Sequence, residues 1–318
     1  MKNTEVCRLL GIQYPILQGG MLWIATAELA AAVSNAGALG VISPYAGMDN
    51  MGDSVKNLEN QIKKTRQRTS FPFAINIPLD LKDSGILIDL AIHQGVKIII
   101  TAAGSPEMYS ELIKGMGVKV LHVVSSVKQA RLAEASGVDV IICEGVEAAA
   151  HNGFDELPLF SLIPQIVDEV SLPVIAAGGI VDSRGLVASL ALGAAGVQLG
   201  TRFVVVEENI AHQNYKQAIL EAGDNDTAIT ARKLLPTRSL KSSFSKQLLE
   251  LEAHGATAGE ISRFIGYRRA RKGQIDGDLE AGELYCGTSA GLLKEILPAD
   301  QVIKNLVSEY QIIINELL

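Results

Sequence analysis

The sequence contains few cysteines and no cluster of metal-binding residues. Cys7, Cys143 and Cys286 are the only three cysteines, and they lie far apart without a CxxC pair. This spacing excludes a disulfide framework and a cysteine zinc site, and it is typical of a protein from a reducing compartment. No His, Asp and Glu residues show metal-ligand spacing either, so no metal site is predicted. We therefore expect a cytoplasmic protein without a structural metal.

Basic clusters and long apolar segments are also missing. The formal net charge is -7 and no run of Lys and Arg exceeds two residues, which argues against a nucleic-acid partner. No apolar segment approaches the roughly 20 residues of a membrane helix, and the N-terminus lacks the apolar core of a signal peptide. With 318 residues, 48% of them hydrophobic, the chain can form one large α/β domain or two ordinary ones.

One pattern recurs from the N-terminus to about residue 203: a segment of helical periodicity, a Gly, and a short β-branched run. The runs cover residues 15–20, 39–44, 71–78, 96–104, 118–126, 138–145, 172–179 and 195–201. Continuously apolar strands that alternate with helices are typical of a parallel sheet buried on both faces. Eight such units predict a (β/α)8 TIM barrel over residues 1–205, and a doubly wound sheet is the alternative.

The pattern changes after this barrel. Residues 206–265 show helical spacing with interleaved charges, residues 266–283 are polar, and helical character returns from Gly287, with a helix at 289–297 and a last helix from 298 or 299. We therefore predict that residues 206–318 form a C-terminal helical extension packed on the barrel within the same domain. Its apolar faces favour a homodimer.

The candidate site residues follow from the fold, because active sites of such barrels lie at the C-terminal ends of the strands. These ends carry Gly19, Gly20, Met21, Asn76, Glu144, Gly178, Gly179, Gln198, Gly200 and Thr201. The glycines after strands seven and eight are typical of a phosphate site. Those after strand one would let a flat ring lie against the backbone, with Asn76 at its edge. Simple turn glycines and a polar cap are the alternatives.

The histidines differ in position. His93, His212 and His254 fall on helical segments, where surface or packing roles are expected, and His122 lies inside strand five, facing either the barrel or its wall. His151 lies on a loop beyond strand six, over the predicted barrel mouth. A titratable group there can act as a general base or proton donor. The alternative is a loop residue that caps a helix beginning near Leu157.

A phosphate site together with a flat-ring site predicts FMN as the cofactor. No GxGxxG motif follows strand one, so a Rossmann nucleotide domain is not indicated. A barrel without flavin that binds a phosphorylated metabolite, as an isomerase or lyase, is the alternative from another class.

Five motifs, PILQGGM, AINIPL, EGVEAAAHNG, VIAAGGI and QLGTRF, resemble the nitronate monooxygenase family, formerly called 2-nitropropane dioxygenases. The family includes the FMN-dependent enoyl-acyl-carrier-protein reductase II and NAD(P)H:quinone reductases. The resemblance implies non-covalent FMN, with Gly19, Gly20 and Met21 on its ring and Asn76 at the ring edge. It also implies Gly178, Gly179, Gly200 and Thr201 at the phosphate, Glu144 and Gln198 along the cofactor, and His151 as the catalytic residue.

The chain departs from the family before this histidine, where members usually carry Glu-Ala-Gly-Gly-His and this sequence has Ala149 and Ala150. Either the loop follows a path that alanine tolerates, or His151 is displaced, which would fit a flavin protein that has lost turnover. The acidic segment 155–158 resembles monooxygenases and quinone reductases, whereas HVVSS on strand five lacks the lysine of some quinone-reductase members and is closer to reductase-like relatives. We expect an oxidoreductase that converts an alkyl nitronate and oxygen to a carbonyl compound and nitrite. The alternatives are an enoyl reductase and a quinone reductase that use NAD(P)H.

Overall fold

The main sheet contains eight parallel strands in the order β1-β9-β8-β6-β5-β4-β3-β2. The computed structural model describes residues 1, 4–48 and 52–317. The strands are β1 (Ile16–Gln18), β2 (Gly40–Ile42), β3 (Phe73–Pro78), β4 (Ile98–Ala102), β5 (Lys119–Val124), β6 (Val140–Glu144), β8 (Val174–Ala177) and β9 (Gly196–Leu199), while β7 (Ala150–His151) belongs to a second sheet. A parallel bridge between Leu17 and Leu39 links β1 to the start of β2. The predicted (β/α)8 TIM barrel is confirmed, and so are its eight strands.

Buried β-branched residues explain why these segments form strands. In β4, for example, Ile98, Ile99 and Ile100 are all buried, because alternate residues fill the barrel interior and the layer beneath the helices. The interior residues pack against Val6 and Leu10 of helix α1 (Glu5–Leu10). Helix α1 therefore covers the N-terminal end of the barrel and leaves the opposite end for a site.

Helices alternate with the strands around the barrel, as the sequence predicts. They are α2 (Ala27–Asn35), α3 (Ser54–Arg68), α4 (Ser84–His93), α5 (Ser110–Gly115), α6 (Val127–Ala135), α7 (Leu159–Val167), α8 (Ser183–Ala191) and the short α9 (Thr201–Val204), with a 3-10 helix at Pro106–Met108. Several begin at side-chain caps. Ser126 caps α6 by accepting from the backbone N–H of Gln129, and Asp182 caps α8, which satisfies backbone donors of the first turn.

The C-terminal extension contains α10 (Gln213–Glu221), α11 (Ser243–Ala253), α12 (Ala258–Ile265), α13 (Arg269–Gln274), a 3-10 helix at Thr288–Leu292 and α14 (Ala299–Leu317). Helix α14 packs against α8 and α2 of the barrel. The predicted helix at 289–297 is wrong, because only the 3-10 turn forms there. The division between residues 1–205 and 206–318 stays a prediction. In the described ranges, no helix combines the length and apolar character needed to cross a membrane.

A second, antiparallel sheet joins this extension to the barrel. Its strands are β10 (Thr227–Thr230), β11 (Thr237–Leu240) and β7, in the order β10-β11-β7. The purely helical interpretation of residues 206–265 missed β10 and β11, because four-residue strands with polar and charged side chains give no continuous apolar run. In the register, Thr237 lies opposite His151 and Arg238 opposite Ala150. The loop that carries His151 is therefore fixed by the extension.

Candidate active site

A cavity of about 680 Å³ opens at the C-terminal ends of the barrel strands. Its lining includes every predicted site residue: Gly19, Gly20, Met21, Asn76, Glu144, His151, Gly178, Gly179, Gln198, Gly200 and Thr201. The strand ends come together because parallel strands in a closed barrel all terminate at the same rim. The structure thus assembles these residues around one space, while their individual roles stay predictions.

Unpaired backbone donors surround one side of the cavity. Gly178 and Gly179 have φ values of 104° and 69°, which side-chain-bearing residues rarely adopt. Within the described ranges, the N–H groups of Gly178, Gly179 and Gly200 donate to no protein acceptor. A Cβ atom added to Gly200 would meet no heavy atom within 4 Å. Free N–H groups beside open space form an anion-binding concavity that suits a phosphate.

The cavity wall has a close backbone approach and two buried oxygen atoms without partners in the described part of the chain. A Cβ atom on Gly20 would lie 2.4 Å from Cγ of Asn76, so glycine is needed for the β1 loop to approach this amide. The Oε1 atom of Gln198 and the Oδ1 atom of Asn152 are buried and have no partner among the described residues. Buried polar atoms are normally hydrogen-bonded. Both side chains line the cavity, so a ligand can supply the missing donors.

The hydrogen bonds of His151 fix its tautomer. Its Nδ1 atom lies 3.0 Å from Oγ1 of Thr237, and this hydroxyl donates to the backbone oxygen of Leu235 at 2.8 Å. A hydroxyl has one proton; with that proton on the shorter contact to Leu235, Nδ1 carries hydrogen and donates to Thr237. The Nε2 atom is then unprotonated, and it has no partner in the described part of the chain while the ring lines the cavity. His151 thus presents a lone pair to any ligand.

The electrostatics of the cavity keep this imidazole neutral. The His151 side chain is open to the cavity, yet the protein around the ring desolvates it and lowers the pKa of His151; the negative charge of Asp80 opposes that effect without cancelling it. Asp80 also lines the cavity, whereas no Lys or Arg does so among the residues that the structure describes. The arrangement provides a neutral base with a carboxylate able to stabilise the imidazolium once a proton is taken up.

The carboxyl groups at the end of β6 have separate functions. Burial raises the pKa of Glu144 to about 8, so this side chain is mostly protonated at pH 7 and can donate a hydrogen bond. The carboxylate of Glu147 accepts from the backbone N–H of Leu159, with both oxygens at 2.9 Å, and so caps the start of α7.

The extension contributes cavity residues that sequence reasoning missed. Tyr285, Gly287 and Ser289 line the cavity, and the Tyr285 ring lies edge-on to His151 with 5.8 Å between the ring centroids. The backbone N–H of Gly287 donates to Oγ1 of Thr201 at 3.1 Å. These residues follow a polar stretch far from the barrel motifs, so no local signal marks them. Asp80, in the loop after β3, directly follows the AINIPL motif and was missed at that strand end.

The other four histidines lie in different surroundings. His93 and His254 are exposed and bond to the backbone of their own helices, while His212 caps α10, which confirms their surface or packing roles. His122 is buried and faces the cavity. The capping alternative for His151 is wrong, because α7 begins at Leu159 and its first backbone N–H donates to the Glu147 carboxylate and not to His151.

The alanine substitutions before His151 leave one strained residue. Ala150 has a φ of 65°, whereas Ala149 is absent from the positive-φ residues in the described ranges. The loop therefore keeps a conformation that favours glycine at position 150, because the β7–β11 pairing holds it there. His151 is not displaced from the cavity, and the backbone of Ala150 is strained as a result.

Ala150→Gly is accordingly expected to stabilise the protein by about 1 kcal/mol, since glycine adopts positive φ without steric cost. Equilibrium unfolding in urea measures this difference. Ala149→Gly is the matched control and should destabilise slightly, because it adds only unfolded-chain entropy. Equal destabilisation by both substitutions would contradict the assignment of strain to Ala150.

Comparisons with known proteins agree with this geometry. A family model described as nitronate monooxygenase matches residues 3–86 and 83–309. A probable nitronate monooxygenase from Staphylococcus saprophyticus is 32% identical, with 98% of this chain and 99% of the relative covered. The structure of FabK from Thermotoga maritima has 39% identity and a TM-score of 0.93, with coverage of 100% of this chain and 99% of that chain. A nitroalkane oxidase from Streptomyces ansochromogenes has 25% identity and a TM-score of 0.82 over 96% of this chain and 98% of that chain. The chain therefore belongs to the nitronate monooxygenase family and is an oxidoreductase.

Proposed function

We propose that the protein binds FMN and oxidises nitroalkanes, or the nitronates derived from them, to a carbonyl compound and nitrite. The observation that carries this proposal is the Nε2 position of His151, which has no partner among the described residues and lines the cavity while Thr237 contacts Nδ1. Removal of an α proton from a neutral nitroalkane requires such a base.

The cavity residues fit FMN. The N–H groups of Gly178, Gly179 and Gly200 can bind its phosphate. Gly20 lets the β1 loop lie against the Asn76 side chain, and this amide lines the cavity where it can bond to the ring edge. The unpartnered Oε1 atom of Gln198 offers an acceptor for a ring N–H group. FMN held by these residues would supply the electron acceptor for the deprotonated substrate, with O2 as the final oxidant; the carbonyl oxygen would come from O2 or water as the C–N bond breaks and nitrite leaves.

Residues of the chain carry out the proton transfer and orient the base. His151 accepts the α proton at Nε2, while Thr237 holds the ring through Nδ1. The positive charge that results is stabilised by Asp80, whose charge already raises the pKa of His151. The pairing of β7 with β11 prevents the loop from swinging away, so the base stays oriented toward the cavity.

The charge of the cavity favours a substrate that enters as a neutral molecule. Asp80 and Glu147 line it, and no Lys or Arg is present in the described lining. An anionic nitronate would meet unfavourable charge here, whereas a neutral nitroalkane would not. We therefore expect the neutral form to be used, with the anion formed inside the site.

Anaerobic stopped-flow spectroscopy at 450 nm tests the proposal. The purified holoprotein is mixed separately with 1-nitropropane, its nitronate, NADH and NADPH. Bleaching of the flavin by the nitroalkane supports the proposed oxidation. Bleaching by a nicotinamide alone would overturn it.

The pH dependence of the reaction follows from the pKa of His151. Because burial lowers this pKa below its ordinary value, kcat/KM for neutral nitroalkane should stay constant near pH 7 and fall about tenfold per pH unit only below the lowered pKa. Asp80→Asn removes a charge that raises the pKa, so it should move this acidic limb to lower pH. If the acidic limb of the pH profile moved to higher pH in Asp80→Asn, the role of Asp80 would be contradicted.

A second candidate is reduction of an enoyl thioester by NADH or NADPH through FMN. It is favoured by the similarity to FabK, an enoyl-acyl-carrier-protein reductase II, over the full chain. The cavity lining also includes Leu132 and Phe154, whose side chains are 38% and 65% exposed, and such apolar groups at a mouth suit an acyl chain. Rapid bleaching by a nicotinamide, followed by reoxidation with crotonyl-CoA, would identify this activity.

Assembly and location are part of the same proposal. A homodimer and a cytoplasmic location stay predictions. Cys7, Cys143 and Cys286 are all buried free thiols, which is in keeping with a reducing compartment. Analytical ultracentrifugation of the holoprotein measures the oligomeric state.

A further inference from the structure

A second histidine in the cavity has no part in the reaction described above. His122 lies on β5 and is only 4% exposed, yet it belongs to the cavity lining. Its Nδ1 atom lies 2.7 Å from Oγ1 of Thr101 on the neighbouring strand β4. No protein group in the described ranges bonds to its Nε2 atom. Because His122 lines the cavity, a ligand bound there can be the hydrogen-bond partner of Nε2.

The Thr101 hydroxyl determines the tautomer of His122. Besides Nδ1 at 2.7 Å, its other contact is the backbone oxygen of Leu121 at 3.4 Å. An O–H···O hydrogen bond is typically about 2.5–3.0 Å long, so the hydroxyl proton belongs to the shorter contact and is donated to Nδ1. The neutral ring then carries its own hydrogen on Nε2. His122 is therefore a donor where His151 is an acceptor.

The position of β5 places this donor away from the phosphate-binding glycines. In the closed strand order β1-β9-β8-β6-β5-β4-β3-β2, β5 lies across the barrel from β1, which precedes Gly19 and Gly20. The glycines that can bind phosphate follow β8 and β9. His122 thus lies across the cavity from Gly19 and Gly20, where the flavin ring is proposed to bind.

We propose that His122 donates its Nε2 hydrogen to an oxygen that gains negative charge during the reaction. This inference rests on the proposed function. When Nε2 of His151 takes the α proton, the electron pair of the C–H bond moves toward the nitro group and negative charge develops on its oxygens. A carbonyl oxygen of bound FMN would be the corresponding acceptor on the cofactor. In both cases the hydrogen-bond acceptor is an oxygen atom that becomes more negative.

The composition of the cavity makes this donor important. Because the described lining contains no Lys or Arg, developing negative charge must be met by neutral hydrogen-bond donors. Burial lowers the pKa of His122 to about 4, so the ring stays neutral near pH 7 and keeps one donor and one acceptor. Such a preorganised donor stabilises charge without reorganisation during the reaction.

The tautomer can be tested without any substrate. In the flavin-containing protein, ¹⁵N NMR of the histidine rings should show hydrogen on Nε2 of His122 and on Nδ1 of His151. Thr101→Val removes the hydroxyl donor and should shift only the His122 signals. Hydrogen found on Nδ1 of His122 in the wild-type protein would overturn the proposal.

The role of the donor is tested with His122→Leu and His122→Gln, each checked for a wild-type flavin spectrum and thermal unfolding. Leu cannot donate, so kcat/KM for 1-nitropropane should fall about 10- to 100-fold, as expected for loss of a hydrogen bond to a charged group, and Gln should restore part of it. An unchanged flavin reduction potential would then identify the substrate oxygen, and a more negative potential without substrate would identify the flavin oxygen. A folded His122→Leu protein with wild-type rates and potential would overturn the proposal.

The two proposals fail in different ways. If wild-type protein binds flavin but nitropropane does not reduce it, the proposed function is wrong. The NMR signals and the reduction potential still report on His122 in that case.

Discussion

Replacement of His151 with Gln is expected to lower kcat/KM for neutral 1-nitropropane by about 10²- to 10⁴-fold, the range typical of a general base. Gln keeps a similar volume and can still donate to Thr237, but it cannot accept a proton at the position of Nε2. In the wild-type protein this atom is unprotonated, because Nδ1 donates to Thr237 and Thr237 donates to Leu235.

The nitronate prepared beforehand is the internal comparison for this variant. It needs no proton removal, so its oxidation should decrease far less than that of the neutral nitroalkane. His93→Gln, on the exposed end of α4, is the matched control and should leave both rates unchanged. Equal losses on the two substrates would show that His151 only shapes the cavity.

Gly200→Ala is expected to weaken FMN binding by roughly 100-fold, because a methyl group would displace the phosphate from N–H donors whose charge-assisted bonds are each worth about 1.5–3 kcal/mol. Gly200 has φ of -99° and ψ of -75°, which alanine adopts without strain. A Cβ atom there meets no protein atom within 4 Å. The added methyl group therefore affects the ligand and not the fold.

Fluorescence quenching of FMN during titration into apoprotein measures this affinity. Gly115→Ala is the matched control, because a Cβ atom there also meets nothing within 4 Å and Gly115 does not line the cavity. Both variants should unfold at or slightly above the wild-type temperature, because alanine lowers the entropy of the unfolded chain. Wild-type FMN affinity in Gly200→Ala would place the phosphate elsewhere.

The barrel could be predicted from sequence because each unit repeats the same physical constraint. Segments such as Ile98–Ala102 and Val140–Glu144 must be buried on both faces, and only continuous apolar, β-branched runs satisfy that requirement. The site could be predicted with it, since a closed parallel barrel brings every strand end to one rim. Gly178 and Gly200 therefore come together although 21 residues separate them in the sequence.

The rest of the site depends on contacts that no local pattern encodes. Thr237 fixes the tautomer of His151, but it belongs to a four-residue polar strand 86 positions away. Tyr285 reaches the cavity from a loop in the extension. The sequence shows the replacement of glycine at Ala150, yet only the paired β7 and β11 strands show that positive φ is retained there. These features follow from tertiary packing rather than from periodicity or turn chemistry.

In the proposed reaction, His151 removes the α proton of a neutral nitroalkane bound beside FMN. This step is tested most directly by anaerobic stopped-flow reduction of the holoprotein with 1-nitropropane carrying hydrogen or deuterium at the α carbon. We predict that flavin reduction is several-fold slower with deuterium in the wild-type protein and that His151→Gln nearly abolishes reduction by both substrates. Identical rates for the two isotopic substrates, retained in His151→Gln, would contradict the claim.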